Sequence, residues 1–250
     1  MLVLLPPSET KRPGGDGVPL DLADLALPAL APQRHEVIDA LIALSADEDA
    51  AARVLKLSAA RRHEIADNAA LRTAPTMPAI DRYTGALFDA LDASSLDDAA
   101  RVWIGEHVLI HSAPFGPVGG MDAIPAYRLA AGTSVPGLPA LRRQWAAPVS
   151  AALAASLPAF VLDLRSEAYV ALGPVPEEVA SAYVRVVAET EDGAVRALNH
   201  FNKKAKGELV RDLASSGATI ASGEDLLSWA ADRGVDLRRG DSGEFSLVSS

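Results

Sequence analysis

Cysteine is absent from the 250 residues. Its absence removes disulfides, thiol nucleophiles and cysteine-ligated zinc or iron–sulfur clusters, and it suits a reducing cytosol. Aromatic residues make up only 5% of the chain, and lysine is scarce. Long apolar runs are missing too. The most apolar window, Ala146 to Leu162, is broken by Pro148, Ser150, Ser156 and Pro158, so it reads as a helix, a turn and a strand instead of a membrane span. The start, Met1 to Leu5, runs straight into Pro6-Pro7 with no basic segment before it; it reads as a short buried strand and not as a signal peptide. The expectation is a cytoplasmic protein with no membrane partner.

Several motifs are also missing. The sequence holds no P-loop, dinucleotide fingerprint, Gly-x-Ser-x-Gly elbow or His-Glu-x-x-His pair. Gly116-Pro117-Val118-Gly119-Gly120 lacks a following Lys-Ser or Lys-Thr and reads as a plain loop. The five histidines are scattered. His35 and His63 have no second histidine three or four residues on, so no metal site and no cofactor are expected. Net charge is −10. Proteins that hold nucleic acid through phosphate contacts carry a basic footprint, so such a role here has to come from a local patch.

What is present is a mixed pattern of helices and strands. The chain is long enough, and at 49% apolar rich enough, to fill a sizeable core. From Gln33 to Leu71 apolar residues recur at helical spacing, with Ser45 and Glu48 placed as a capping box. Ser95 with Asp98, and Ser222 with Asp225, mark two further helix starts; Gly234 marks a stop. Ala86 to Leu91 reads as a short helix and Leu138 to Leu157 as a longer one. Trp103 to Ile110 reads as a central strand, Phe160 to Leu164 as a strand buried on both faces, and Phe245 to Val248 as a final edge strand. Tyr183 to Glu189 and Ala194 to Phe201 alternate about Glu191-Asp192-Gly193, the pattern of a β-hairpin. With no internal repeat and no long linker, residues 1–250 form one α/β (mixed α+β) domain, a mixed sheet flanked by helices.

The hairpin leads into Asn202-Lys203-Lys204-Ala205-Lys206-Gly207, which gathers three lysines in four positions before a helix expected from Gly207. Cations near a helix start oppose its dipole, so an anion there would relieve them. Other polar sets stand at predicted strand exits: Ser8, Thr10 and Lys11; Tyr83; Asp122, Tyr127 and Arg128; Arg165, Ser166 and Tyr169. If these loops converge, the cleft offers hydroxyls, guanidinium groups and ammonium groups. That inventory binds phosphate or carboxylate, and supports acid–base chemistry if a lysine or tyrosine is depressed by neighbouring cations. The binding candidates are Ser8, Thr10, Lys11, Arg128, Arg165, Lys203, Lys204 and Lys206. The catalytic candidates are Lys11, Tyr83, Asp122, Tyr127, Arg128, Ser166, Tyr169 and Lys206.

Five stretches carry a resemblance. Leu5-Pro6-Pro7-Ser8-Glu9-Thr10-Lys11, Tyr83-Thr84-Gly85, Ser112 to Leu129, Asp163 to Tyr169 and Asn202 to Gly207 occur in the order and spacing of the peroxide stress protein YaaA family, which nearly the whole chain resembles. The resemblance implies a cytosolic bacterial protein with a family-specific α/β fold. It also implies a part in surviving hydrogen peroxide by limiting free intracellular iron, with DNA binding through a helix-hairpin-helix element. The sequence departs from the family at Gly119 and Gly120, where the family carries Arg-Pro. Two readings stand side by side: a stress-response protein that holds duplex DNA on the Lys203 to Arg211 surface, and an enzyme or binder whose cleft takes an anionic small molecule such as a nucleotide, nucleobase or carboxylate compound.

Overall fold

Strand β1 (Leu2–Leu5) is the apolar start of the chain. It runs through the middle of an eight-stranded sheet in a computed structural model, which describes residues 1–189, 195–197, 201–240 and 243–248. Three helices follow: α1 (Ala31–Ser45), α2 (Glu48–Val54) and α3 (Glu64–Ala69). Then come β2 (Met77–Pro78), α4 (Ala79–Arg82), α5 (Ala86–Leu91) and α6 (Asp98–His107). The middle of the chain supplies β3 (Val108–Ser112), β4 (Gly116–Gly119), β5 (Ala123–Ile124) and α7 (Leu141–Ala155). Next are β6 (Val161–Asp163), α8 (Glu167–Val170), β7 (Ser181–Glu189) and β8 (Val195–Ala197). The chain closes with α9 (Phe201–Ser216), α10 (Gly223–Arg233), β9 (Leu237–Arg239) and β10 (Phe245–Val248).

The sheet order is β4-β3-β1-β6-β7-β10-β9, with β8 paired to β7 off this path. Strands β3, β1, β6, β7 and β10 are mutually parallel, and β4, β8 and β9 are antiparallel to their neighbours. Parallel strands covered on both faces have no polar side to show, which is why Leu2–Leu5 and the start of β6, Val161-Leu162, read as continuous apolar runs. The chain leaves β1 for β3 on one side, whereas β6 lies on the other side of β1 and leads away to β7. Neighbouring parallel strands whose connections depart in opposite directions open a crevice at their carboxyl ends, where ligands bind in open α/β sheets.

Several expected boundaries move. Trp103 to His107 belong to α6, and the strand begins only at Val108. Asp97, not Ser95, caps that helix by accepting from Ala100 N. Likewise Asp47 caps α2, while Ser45 Oγ donates back to Leu41 O at the end of α1. The Gly116 loop is strand β4, and β10 is an inner strand with β9 outside it. Ser222 and Gly234 do bound α10 as their residue types dictate. The hairpin pairing of β7 with β8 is present; its turn, Glu191-Asp192-Gly193, lies outside the described residues. Helix α9 starts at Phe201, so the lysine cluster is helical and not ahead of a helix at Gly207.

Candidate functional site

A cleft of about 690 Å³ opens at the carboxyl ends of β1 and β6. The register sets its floor, because Leu4 lies level with Asp163, and Asp163 with Tyr183. Strand β1 ends there and turns into Pro6-Pro7-Ser8-Glu9; β6 ends and turns into Leu164-Arg165-Ser166. Strand β7 continues past both and forms a wall with Tyr183 and Arg185. The opposite wall is the first turns of α9, carrying Asn202, Lys203 and Lys206. A side lobe of about 320 Å³ shares Ser8 and Lys203 with the main cleft and adds Thr10 and Thr84. Gly85 closes this lobe with φ of +97°, and a side chain there would press on Ser8 Oγ at 3.3 Å.

The lysine cluster divides because its members sit on a helix. Lys203 and Lys206 are three apart and share the cleft face. Lys204 faces outward and pairs with Glu208 one turn on, at 3.2 Å. Lys206 is only 4% exposed. Its Nζ donates to Leu164 O at 3.0 Å and lies 5.5 Å from the Tyr183 ring centroid. The nearest carboxylate by sequence logic, Asp163, is occupied: Arg165 donates to Oδ1 at 2.8 Å and to Oδ2 at 2.6 Å. Burial pulls the Lys206 ammonium down to about 8, with Asp163 opposing the shift and Arg185 adding to it.

Arg165, a binding candidate from the sequence, is buried beneath the cleft and spends its donors internally. Besides Asp163 it donates to Gly173 O at 2.8 Å and to His111 Nδ1 at 2.9 Å. Burial and the facing guanidinium hold His111 well below its ordinary value, so the ring is neutral and its Nε2 carries the proton, with no partner among the described residues.

Lys11 stands in a second nest behind the Ser8-Glu9 backbone. Its Nζ donates to Ser8 O at 3.0 Å and lies 4.0 Å from the Tyr127 ring centroid. Tyr83 and Tyr127 bond through their hydroxyls at 2.8 Å, and burial raises both phenols above their ordinary range. Burial, and then the Arg128 guanidinium, pull the Lys11 ammonium down to about 7. Arg128 itself reaches Glu9 at 3.3 Å and Glu64 at 3.6 Å. Lys11, Tyr83, Tyr127 and Arg128 therefore come together, but as a buttress for the cleft wall and not in its lining.

Ser8, Ser166, Tyr169 and Lys203 line the main cleft, and Thr10 the side lobe. Asp122 is elsewhere: its Oδ2 accepts from Ala26 N and Gly119 N, both at 2.7 Å. Gly119 and Gly120 are buried in and beside β4, where added side chains would meet Asp122 at 2.8 Å and Ile104 at 2.5 Å. Among the described residues no three His, Asp or Glu side chains gather as a metal site. No described helix is long and apolar enough to cross a membrane.

Sequence reasoning missed Arg185, Tyr183, Asn202 and Glu9 as lining residues. Arg185 is the most consequential, since it binds Glu244 at 2.6 Å and Glu167 at 3.4 Å across the rim. Its only local signal was a charged residue between Val184 and Val186.

Fold and site together define a mixed α/β protein with a cation-bearing crevice at a topological switch point. The sequence matches the family described as peroxide stress protein YaaA over residues 1–233. It is 44% identical over 239 residues to a UPF0246 protein of Corynebacterium glutamicum, covering 94% of each chain. A UPF0246 protein of Corynebacterium efficiens is 42% identical over 254 residues, covering 99% of this chain and 100% of that one. One of Streptomyces coelicolor is 43% identical over 242 residues, covering 95% and 92%. The chain belongs to the peroxide stress protein YaaA family.

Proposed function

We propose that this protein serves the response to hydrogen peroxide in the cytosol by binding a small anionic molecule, bearing phosphate or carboxylate, in the cleft beside β1 and β6. The observation that carries the reading is Lys206. It is a buried cation facing the cleft, and among the described residues it has no carboxylate at ion-pair distance because Asp163 is held by Arg165. A buried unpaired charge is unfavourable by several kcal/mol, so an anion entering the cleft is stabilised there. Lys203 at the rim adds a second charge, and the hydroxyls of Ser8, Ser166 and Tyr169 add donors. Limitation of free iron is proposed as a consequence of this binding, not of iron ligation by the chain.

The reading is tested by thermal shift with phosphate, pyrophosphate, ribose 5-phosphate, adenosine monophosphate and pyruvate. At 100 times its Kd, a ligand stabilises the fold by about 2.7 kcal/mol. At least one member of the panel is expected to raise Tm, with the rise lost in Lys203→Ala/Lys206→Met. No shift from any of them counts against the cleft. A labelled duplex belongs in the same series: steeply salt-dependent affinity, lost in Lys204→Ala and kept in Lys206→Met, would place function on the outer face of α9 and make DNA the partner.

A further inference from the structure

The surroundings of Lys206 suit more than charge pairing. An amine reacts as a nucleophile only when neutral, and proteins favour that form by burying it beside another cation. Lys206 meets the first condition, and burial is the main cause of its lowered value; Arg185 adds a smaller push that Asp163 opposes. It is 4% exposed, its ammonium is held down to about 8, and Arg185 is the neighbouring cation, with Asp163 and Tyr183 the other titratable groups facing it. Among the described residues its one hydrogen bond is to a backbone oxygen, Leu164 O, which leaves the nitrogen lone pair of the neutral form free for another atom. The remaining lysines are differently placed. Lys11 lies against Tyr127 and does not line the cleft, Lys203 and Lys204 are exposed, and Lys56 is exposed on the far segment after α2.

A second group points to the same chemistry. Asn202 precedes Lys206 by four residues on α9, so the two side chains share a face, and both line the cleft. The Asn202 Oδ1 is buried and has no hydrogen-bond partner among the described residues. An orphaned acceptor one helical turn from a nucleophilic amine fits a ligand that presents an O–H there.

We propose that Lys206 captures the carbonyl carbon of an anionic aldehyde or ketone as an imine, with Asn202 Oδ1 accepting from the carbinolamine hydroxyl. This rests on the anion-binding reading and names the class of its ligand: a carboxylate- or phosphate-bearing carbonyl compound. In the first step the nitrogen lone pair forms the N–C bond while the C=O π pair moves to oxygen. That oxygen is protonated as the nitrogen gives up a proton, which makes the carbinolamine. Its hydroxyl leaves with a second N–H proton as water, and the nitrogen lone pair closes the C=N bond. One water is released, and no oxidant or reductant is consumed. Lys203 at the rim holds the anionic end, because Arg185 is already engaged by Glu244 and Glu167.

The test is reductive trapping with glyoxylate and sodium cyanoborohydride, followed by peptide mapping of the five lysines. The borohydride supplies the hydride that fixes the imine as a secondary amine. Lys206 is expected to label at least tenfold faster than Lys203, Lys204 or Lys56, with a rate that rises through a midpoint near 8. Arg185→Gln, which leaves the amine in place, is expected to move that midpoint upward. Asn202→Ala is expected to slow labelling of Lys206 severalfold without changing that of Lys203. Equal labelling of the lysines, or labelling that spares Lys206, overturns the proposal. If glyoxylate raises Tm but leaves Lys206 unlabelled, only the covalent step fails; if it does neither, while another anion of the panel raises Tm, the anion site stands and the carbonyl class is wrong.

Discussion

Arg165 grips both carboxylate oxygens of Asp163, at 2.8 and 2.6 Å, although the two residues are only two apart in sequence. This grip shapes the electrostatics of the site, because among the described residues it leaves Lys206 with no carboxylate at ion-pair distance. The pair is fully enclosed beneath the floor. Removing one partner strands the other charge, so Asp163→Ala is expected to destabilise the fold by roughly 3–5 kcal/mol. The double replacement Asp163→Leu/Arg165→Met should be less damaging than the sum of the two single changes. Urea denaturation of the four proteins measures this, and simple additivity would contradict it.

Helix α9 can carry Lys206 to the cleft only because it lies close against α5. At Gly207 a methyl group would come within 2.1 Å of Leu87 O, and a backbone atom of this kind cannot swing aside. Gly207→Ala is expected to destabilise the protein by about 3 kcal/mol, in the upper range of overpacking effects. It should also weaken anion binding, since Leu87 and Lys206 both line the cleft. Unchanged denaturation and unchanged binding would show that the helices adjust freely.

Lys11 makes stability depend on pH in a stated direction. Folding lowers its value from 10.5 to about 7, so between those limits the unfolded chain binds the extra proton and stability rises with pH. Below about pH 7 both states are charged and the whole penalty of burial applies. Lys11→Met should therefore raise stability by roughly 1–3 kcal/mol at pH 6, with the gain shrinking toward pH 10. Melting curves of the two proteins at both pH values decide it; a gain that grows with pH would refute the assignment.

The outward lysine gives a contrast. Lys204 and Glu208 are an exposed helical pair, and such pairs contribute about 0.3–0.5 kcal/mol. Lys204→Ala should change stability by no more than that and leave anion affinity intact, whereas Lys203→Ala should lower affinity severalfold. Calorimetric titration with the tightest-binding anion of the thermal-shift panel separates the two.

The difference between these neighbours was hidden by one boundary. With the helix expected from Gly207, the three lysines formed a single basic turn; with α9 starting at Phe201, the i, i+3 and i, i+4 spacings place them on different faces. Strong local signals read correctly. Ser222 and Gly234 bound α10 through their own side-chain and backbone chemistry, and the apolar runs of β1 and β6 gave the two strands that frame the cleft. Trp103 and Ile104 misled because short apolar runs look alike in strand and helix; the N-cap at Asp97 and burial of one helical face against the sheet settled the matter. Arg185 and Tyr183 were not legible as site residues. They reach the cleft through parallel pairing of β6 with β7, and nonlocal register leaves no mark in local sequence. The reverse holds for Arg165 and Asp122, whose residue types suggested a ligand while their partners proved to be internal.

We propose that an anion belongs beside Lys206. The most direct measurement is an anomalous difference map from crystals soaked in selenate, whose scattering marks an oxyanion independently of ligand identity. A peak within hydrogen-bonding distance of Lys206 Nζ, shared with Lys203 or Ser166 and absent in Lys206→Met, is the predicted result. Selenate bound elsewhere on the molecule, with the cleft beside β1 and β6 empty of anomalous signal, would contradict the account.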